Sequence, residues 1–288
     1  MGNQSIRYYY NRLNIAERII ALNVVVFIAN GLLKILFGFS GIAQWFELPK
    51  DFFHYLGQPW SLVTYSFFHA GLGHIFWNML MLYFAGRIFL NLFDNKRFLN
   101  VYFLGVILGG LIFLLSYNIF PALLGINTSL IGASAGVTAV LIFVCAYLPN
   151  QEVRIVFFNV KLWHIGVFVV LLDLIQISLG GNVGGRLAHL GGAALGYFYA
   201  KQLMKGNDIG SGFAKMVDAV ANLFKRSERK APMKTVYRKE KKGAGRSENY
   251  DKESRQRKID AILDKISKSG YESLSKAEKD FLFKAGKE

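Results

Sequence analysis

Apolar residues run in six long stretches through the first two thirds of the chain, near 17–38, 72–93, 98–119, 130–148, 162–180 and 186–204. A helix needs roughly 20 mostly apolar residues to cross the hydrocarbon core of a bilayer. Irregular backbone facing lipid would leave costly unpaired N–H and C=O groups. The pattern therefore predicts an all-α membrane protein with six spans. After residue 205 the pattern changes. Phe213, Met216, Val217, Val220 and Phe224 share one helical face and are followed by Lys225, Arg226, Arg229 and Lys230. This reads as an interfacial helix with a basic end, or as a plain solvated charge run. Residues 231–250 carry Lys, Arg, Gly and Ser with almost no apolar spacing and read as a flexible linker. Ile259, Ile262, Leu263 and Ile266 then recur at helical spacing. Gly270 interrupts them, and Ser275 with Glu278 makes a capping box ahead of Phe281 and Leu282. The expected product is a small cytoplasmic helical hairpin, too small for a strong core of its own, which docks on a partner or on a second copy in a homodimer. The chain thus divides into an N-terminal segment 1–15, a six-helix domain 16–205, an amphipathic helix and basic linker 206–250, and a hairpin 251–288.

Charge assigns the sides. Residues 1–205 hold 13 of the 34 Lys and Arg and six acids, and the remainder holds 21 basic and 13 acidic residues. Near the span ends, Arg7, Arg12, Arg18, Arg87, Lys96, Arg97, Arg154, Lys161, Lys201 and Lys205 all fall on one side, against Lys34, Lys50 and Arg186 on the other. The positive-inside rule makes the basic side, with both termini, cytoplasmic. A basic tail at the membrane gains about 1 kcal/mol per charge from anionic lipid, so the inner leaflet is the expected partner and nucleic acid is not. No cleavable leader precedes the first long apolar run, which is expected to stay as an anchor. The single Cys145 lies in an apolar run, which argues against disulfides and thiol chemistry. On the outer side, residues 40–70 are rich in aromatics and carry Pro49 and Pro59, as in a folded loop half sunk in the interface or a simple aromatic anchor. Six plain spans without a targeting extension point to a bacterial inner membrane.

Polar residues inside spans are rare and are either functional or interhelical glue. The fourth span opens with Gly132-Ala133-Ser134-Ala135-Gly136, which sets Ser134 ~6 Å below the outer surface at 1.5 Å per residue. The sixth sets His189 ~5 Å below the same surface. The second begins beside His69 and carries His74 and Asn78, four apart and so on one face. Each feature has a plainer reading. The Gly-Ala-Ser-Ala-Gly run and the Gly192/Gly196 pair suit close helix approach, and the histidines suit structural hydrogen bonds. Agreement in depth across three helices favours chemistry. His189 is placed to take the Ser134 proton near neutral pH, and the Asn78 amide, the His74 imidazole and the Ser134 backbone N–H are candidate donors to a tetrahedral oxyanion. Asp173, the one acid deep in the fifth span, is expected ~5 Å deeper than His189 and is read as structural, leaving a Ser-His dyad.

His69-x4-His74-x3-Asn78, Gly132-x-Ser134 and His189-x2-Gly192-x3-Gly196, in this order on these spans, resemble the rhomboid intramembrane serine protease family over roughly residues 15–205. The resemblance implies a six-transmembrane-helix rhomboid bundle and a Ser134/His189 dyad with Asn78 and His74 in an oxyanion site. It further implies cleavage of single-span membrane proteins near their outer ends, without metal or cofactor. His69, Gly132, Gly192 and Gly196 are the supporting residues. Two departures are visible. Trp60 is followed by Ser61 where some bacterial members carry Arg, and Thr138 stands where some members carry an aromatic ring against the histidine. The rival expectation is a catalytically silent relative that binds transmembrane clients without cutting them. A transporter, which tends to show repeated halves and charged midplane sites, is disfavoured.

Overall fold

A computed structural model describes residues 6–38, 41–155, 157–224 and 247–286 of the chain. It divides into two compact units, Met1–Arg226 and Ser227–Glu288. In the first, six long helices follow one another: α1 (Ile15–Phe37), α2 (Leu72–Leu90), α3 (Asn95–Ile119), α4 (Ser134–Tyr147), α5 (Leu162–Ser178) and α6 (Val183–Met204). Local chemistry fixes their ends. Asn14 caps α1 by accepting from the Glu17 N–H at 2.9 Å while the Glu17 carboxylate accepts from the Asn14 N–H at 2.8 Å. Gly38, at φ +67°, closes the same helix in the left-handed conformation.

Four helices begin elsewhere than the apolar pattern predicts, α1, α3, α4 and α6, and the shifts of the fourth and the sixth matter for the site. The fourth starts at Ser134 rather than near 130. The preceding residues instead form β2 (Ser129–Leu130), which pairs antiparallel with β1 (Leu48–Pro49) so that Leu130 faces Leu48. Gly132 then turns the chain at φ +118°, a conformation that side-chain-bearing residues avoid. The sixth starts at Val183 rather than near 186, because the Asn182 side chain accepts from the Gly185 N–H at 3.3 Å and caps an extra turn.

Helix α4 is central and touches α2, α3, α5 and α6. Its small residues allow this. A Cβ on Gly192 or Gly196 of α6 would collide with the carbonyls of Ala135 and Ala139, and one on Gly105 or Gly109 of α3 would meet the Ala139 and Ala135 methyls. Backbones approach this closely where van der Waals contact, rather than water exclusion, drives association. The bundle is apolar outside as well as in its core. Helix α5 buries only Leu162, Gly166 and Asp173, one stripe, and exposes Val167, Phe168, Leu171, Leu172, Leu174 and Ile175. Asn23, Ser66, Asn78, Asn100 and Ser116 are buried inside. Apolar exteriors of this extent are not left to water. By length and composition, α1 and α3 are sufficient to cross a membrane, and α4 and α5 are shorter apolar helices.

The segment before α2 is folded, with short helices Phe52–Gly57 and Ser61–Thr64 and a hydrogen bond from the Trp60 indole to the Trp45 carbonyl at 2.8 Å. A hairpin of β3 (Glu152–Ile155) and β4 (Phe158–Lys161) joins α4 to α5. The amphipathic stretch after α6 forms α7 (Ser211–Phe224), with Met216 and Val217 exposed. Its basic continuation at Lys225, Arg226, Arg229 and Lys230 and the linker as far as 246 lie outside the described residues.

The second unit is a hairpin of α8 (Ser247–Ser269) and α9 (Lys276–Ala285). Residues 247–250, expected in the linker, already belong to α8. Ile262 and Leu274 are its buried apolar residues, and the capping box forms, with the Ser275 N–H donating to Glu278 at 2.8 Å.

Candidate active site

The turn that breaks the fourth apolar stretch delivers Ser134 to the first position of α4. The Gly132 N–H donates to the Tyr65 carbonyl at 3.0 Å and the Ala133 N–H donates to His69 Nε2 at 3.4 Å. Both bonds fix the approach to the serine. His69 thus holds backbone rather than lining the cavity. It is 6% exposed, and burial first, then the adjacent His74, push its pKa down to about 4, so it is a neutral acceptor. At the start of a helix the Ser134 N–H has no partner within α4, and the helix dipole makes this end favourable for negative charge.

Helix α2 brings His74 and, one turn on, Asn78 to the same side. The His74 ring lies edge-on to His69 at 5.0 Å between centroids. It also lies against Gly132. A Cβ there would sit 2.7 Å from His74 Nε2 and 3.7 Å from Ser134 Oγ, so only glycine lets the imidazole this close to the serine turn. Asn78 is 7% exposed.

Ser134, His74, Asn78 and His189 all border one cavity of about 860 Å³, together with Thr138, Trp77, Met81, Asp173, Gln176 and Arg186. No hydrogen bond joins Ser134 Oγ to His189 in this structure. Gly192 and Gly196 do not reach the cavity. They set the α4–α6 spacing that carries His189 past Ser134.

The expectation that Asp173 lies ~5 Å deeper than His189, and could orient its ring only with difficulty, is overturned. Its Oδ1 is 3.1 Å and its Oδ2 3.3 Å from His189 Nδ1. The error came from helix ends. Helix α5 stops at Ser178 and α6 starts at Val183, so Asp173 is five residues from one end and His189 six from the other. At 1.5 Å per residue the two depths agree within ~2 Å. Arg186, assigned from the sequence to the edge of a loop, lies one turn inside α6 and donates from Nη1 to Asp173 Oδ1 at 2.9 Å. The signal was present in the Arg186-x2-His189 spacing, which puts both on one helical face.

A family model, the Rhomboid domain, matches residues 56–206, more than half of the chain. The chain belongs to the rhomboid family. The rhomboid match covers α2 to α6 and hence every residue of the cavity named above. Residues 247–285 match a second model, a family of unknown function (DUF6576). Among similar curated proteins, RHOMBOID-like protein 12, mitochondrial, of Arabidopsis thaliana is 31% identical over 163 residues, 52% of this chain and 48% of that protein. Presenilin-associated rhomboid-like protein A, mitochondrial, of Danio rerio is 30% identical over 141 residues, 48% of this chain and 36% of the relative. Rhomboid-related protein 1 of Caenorhabditis elegans is 33% identical over 154 residues, 50% of this chain and 39% of the relative. The chain spans about half or less of the length of these relatives. As a rhomboid it is a mostly helical membrane protein.

Proposed function

We propose that this rhomboid is an intramembrane serine endopeptidase that hydrolyses peptide bonds in or near the membrane segments of single-span proteins. One observation carries the reading: Ser134, His189, His74 and Asn78, from three different helices, border a single cavity large enough for an extended peptide and water. In the proposed reaction, His189 Nε2 takes the Ser134 proton as Oγ attacks the scissile carbonyl. The Asn78 amide, the His74 imidazole and the Ser134 N–H donate to the resulting oxyanion. His189 then protonates the leaving amine, and water repeats the sequence to release the acyl group. The open distance between Ser134 and His189 closes when substrate fills the cavity, as catalytic hydrogen bonds commonly do.

The six helices are read as six spans, with both termini cytoplasmic and the cavity open to the opposite face. The apolar exteriors of α1, α2 and α5 support this. The bacterial inner membrane is an expectation from the plain six-span pattern, and the comparisons, with two relatives named mitochondrial, lend it no support. The amphipathic α7 and the basic residues after it are proposed to meet anionic lipid of the inner leaflet.

The test is cleavage of a fluorogenic single-span substrate in liposomes by wild type, Ser134→Ala and His189→Ala, with folding checked by thermal melts. Cleavage by wild type alone is expected. Binding without cleavage by all three, across several substrates, would instead make the protein a client-binding scaffold.

A further inference from the structure

We propose that Asp173 and Arg186 form a positioning pair for His189, bracing the Ser134/His189 dyad from behind. The inference rests on the proposed serine chemistry. Asp173 is the one polar residue in the buried stripe of α5, with a side chain 4% exposed, and both its oxygens approach His189 Nδ1. A carboxylate facing Nδ1 holds the proton there, which leaves Nε2 as the basic nitrogen for Ser134. Asp173 also restrains rotation of the ring. Thr138, one turn after Ser134 on the cavity wall, is too short to brace an imidazole.

Arg186 makes this arrangement tolerable inside a membrane helix bundle. An isolated carboxylate there is expensive, and removing one partner from a buried ion pair leaves the other uncompensated. The guanidinium sits three residues before His189 and takes the same Oδ1 that faces the imidazole. Asp173, Arg186 and neutral His189 together carry no net charge. When His189 takes the serine proton the cluster becomes +1, beside the −1 oxyanion formed in the same step. Without Asp173, Arg186 would confront the new imidazolium as an uncompensated cation.

The experiment compares full-length wild type, Asp173→Asn, Asp173→Asn/Arg186→Gln and Ser134→Ala in liposomes, measuring kcat and KM separately. Nitrogen-15 imidazole spectra follow the five histidines, with His189 assigned by difference from His189→Ala. Both Asp173 variants are expected to lose about 10²- to 10⁴-fold in kcat with KM within about twofold. Wild-type His189 should carry its proton on Nδ1, with a mixture of tautomers in the variants. The double variant removes both charges together, so it carries the test if Asp173→Asn alone fails to fold. Unchanged kcat in a folded Asp173→Asn, or recovery of wild-type kcat in the double variant, would overturn the positioning role while leaving the protease reading intact. If wild type does not cleave, or Ser134→Ala cleaves as well, the protease reading itself fails. The spectra still decide the pair in that case, since a wild-type His189 protonated on Nε2 alone would refute it.

Discussion

The two ends of α4 are built from opposite materials. At the Ser134 end several close neighbours are small or polar, Gly132 in the turn, Gly192 on α6, Gly109 on α3, and His74, Asn78 and His189 around the cavity, beside the larger Trp77 and Met81. At the other end Phe143 is fully buried, with ring centroids of Phe89 at 4.8 Å, Phe93 at 5.4 Å, Tyr199 at 5.7 Å and Tyr147 at 5.8 Å. The backbone is continuous helix throughout, so the size and polarity of the side chains make the difference. The cavity lies at the end where Gly132, Gly192 and Gly109 bring backbones close, and the aromatic packing is concentrated ~14 Å away, nine residues further along the helix. Site and stability should therefore respond separately to substitution at the two ends.

The largest effect is expected where the division is violated at the site end. Gly192→Val forces a side chain into the Ala135 carbonyl, next to Ser134 and one turn from His189. The helices must part, and a misplacement of about 1 Å is enough to cost 10²-fold in rate. We expect loss of both cleavage and thermal stability, read by fluorogenic assay and detergent melts. Asn78→Ala should sharpen the comparison by removing the proposed oxyanion donor and only a small side chain from the packing, lowering kcat by about 10²-fold with a smaller change in melting temperature than Gly192→Val. Phe143→Ala is the mirror image. It should cost about 3 kcal/mol of stability while kcat below the new melting temperature stays within a few-fold. If Phe143→Ala abolishes cleavage in a folded sample, the two ends are not independent.

Much of this was legible in the sequence because the membrane restricts the choices. Six apolar stretches became six helices, and the periodic His74/Asn78 pair came out on one side of α2, since four-residue spacing admits little else. The Asp173 contact was not legible. Depth counted from the edge of an apolar run assumes that helix and run share an end, and Asn182 capping began α6 three residues early. The strand at Ser129–Leu130 was equally hidden, because its pairing with Leu48 and Pro49 is a contact across about 80 residues of chain. Arg186 was misread for the same reason as Asp173. A charge at the margin of an apolar stretch reads as a loop residue until the cap is seen.

The smallest expected effect concerns the link between the aromatic end and α7. Asp208 follows α6 and accepts from the Tyr199 hydroxyl at 2.5 Å, the Arg97 Nε at 3.0 Å and the Gly210 N–H at 3.1 Å. It ties the C-terminal half of α6, the first turn of α3 and the start of α7 together. The Lys96–Asp218 pair nearby is well exposed on both sides and contributes little. Burial raises the Asp208 carboxyl, but the three donors outweigh it and hold the group below the ordinary carboxylate range. A group with a depressed folded pKa stabilises the native state above its unfolded pKa of about 3.9, and that contribution is lost as pH falls through the folded value. Asp208→Asn should therefore lower stability at neutral pH by about 1 kcal/mol. It should also flatten the fall in stability below pH ~4 that this group causes in wild type. Labelling of Ser134 by a fluorophosphonate probe should stay within twofold, because nothing in the Asp208 network touches the cavity. A tenfold drop in labelling at unchanged fold would mean that the Asp208 turn and the site move together, and the two ends of α4 would have to be treated as one mechanical unit.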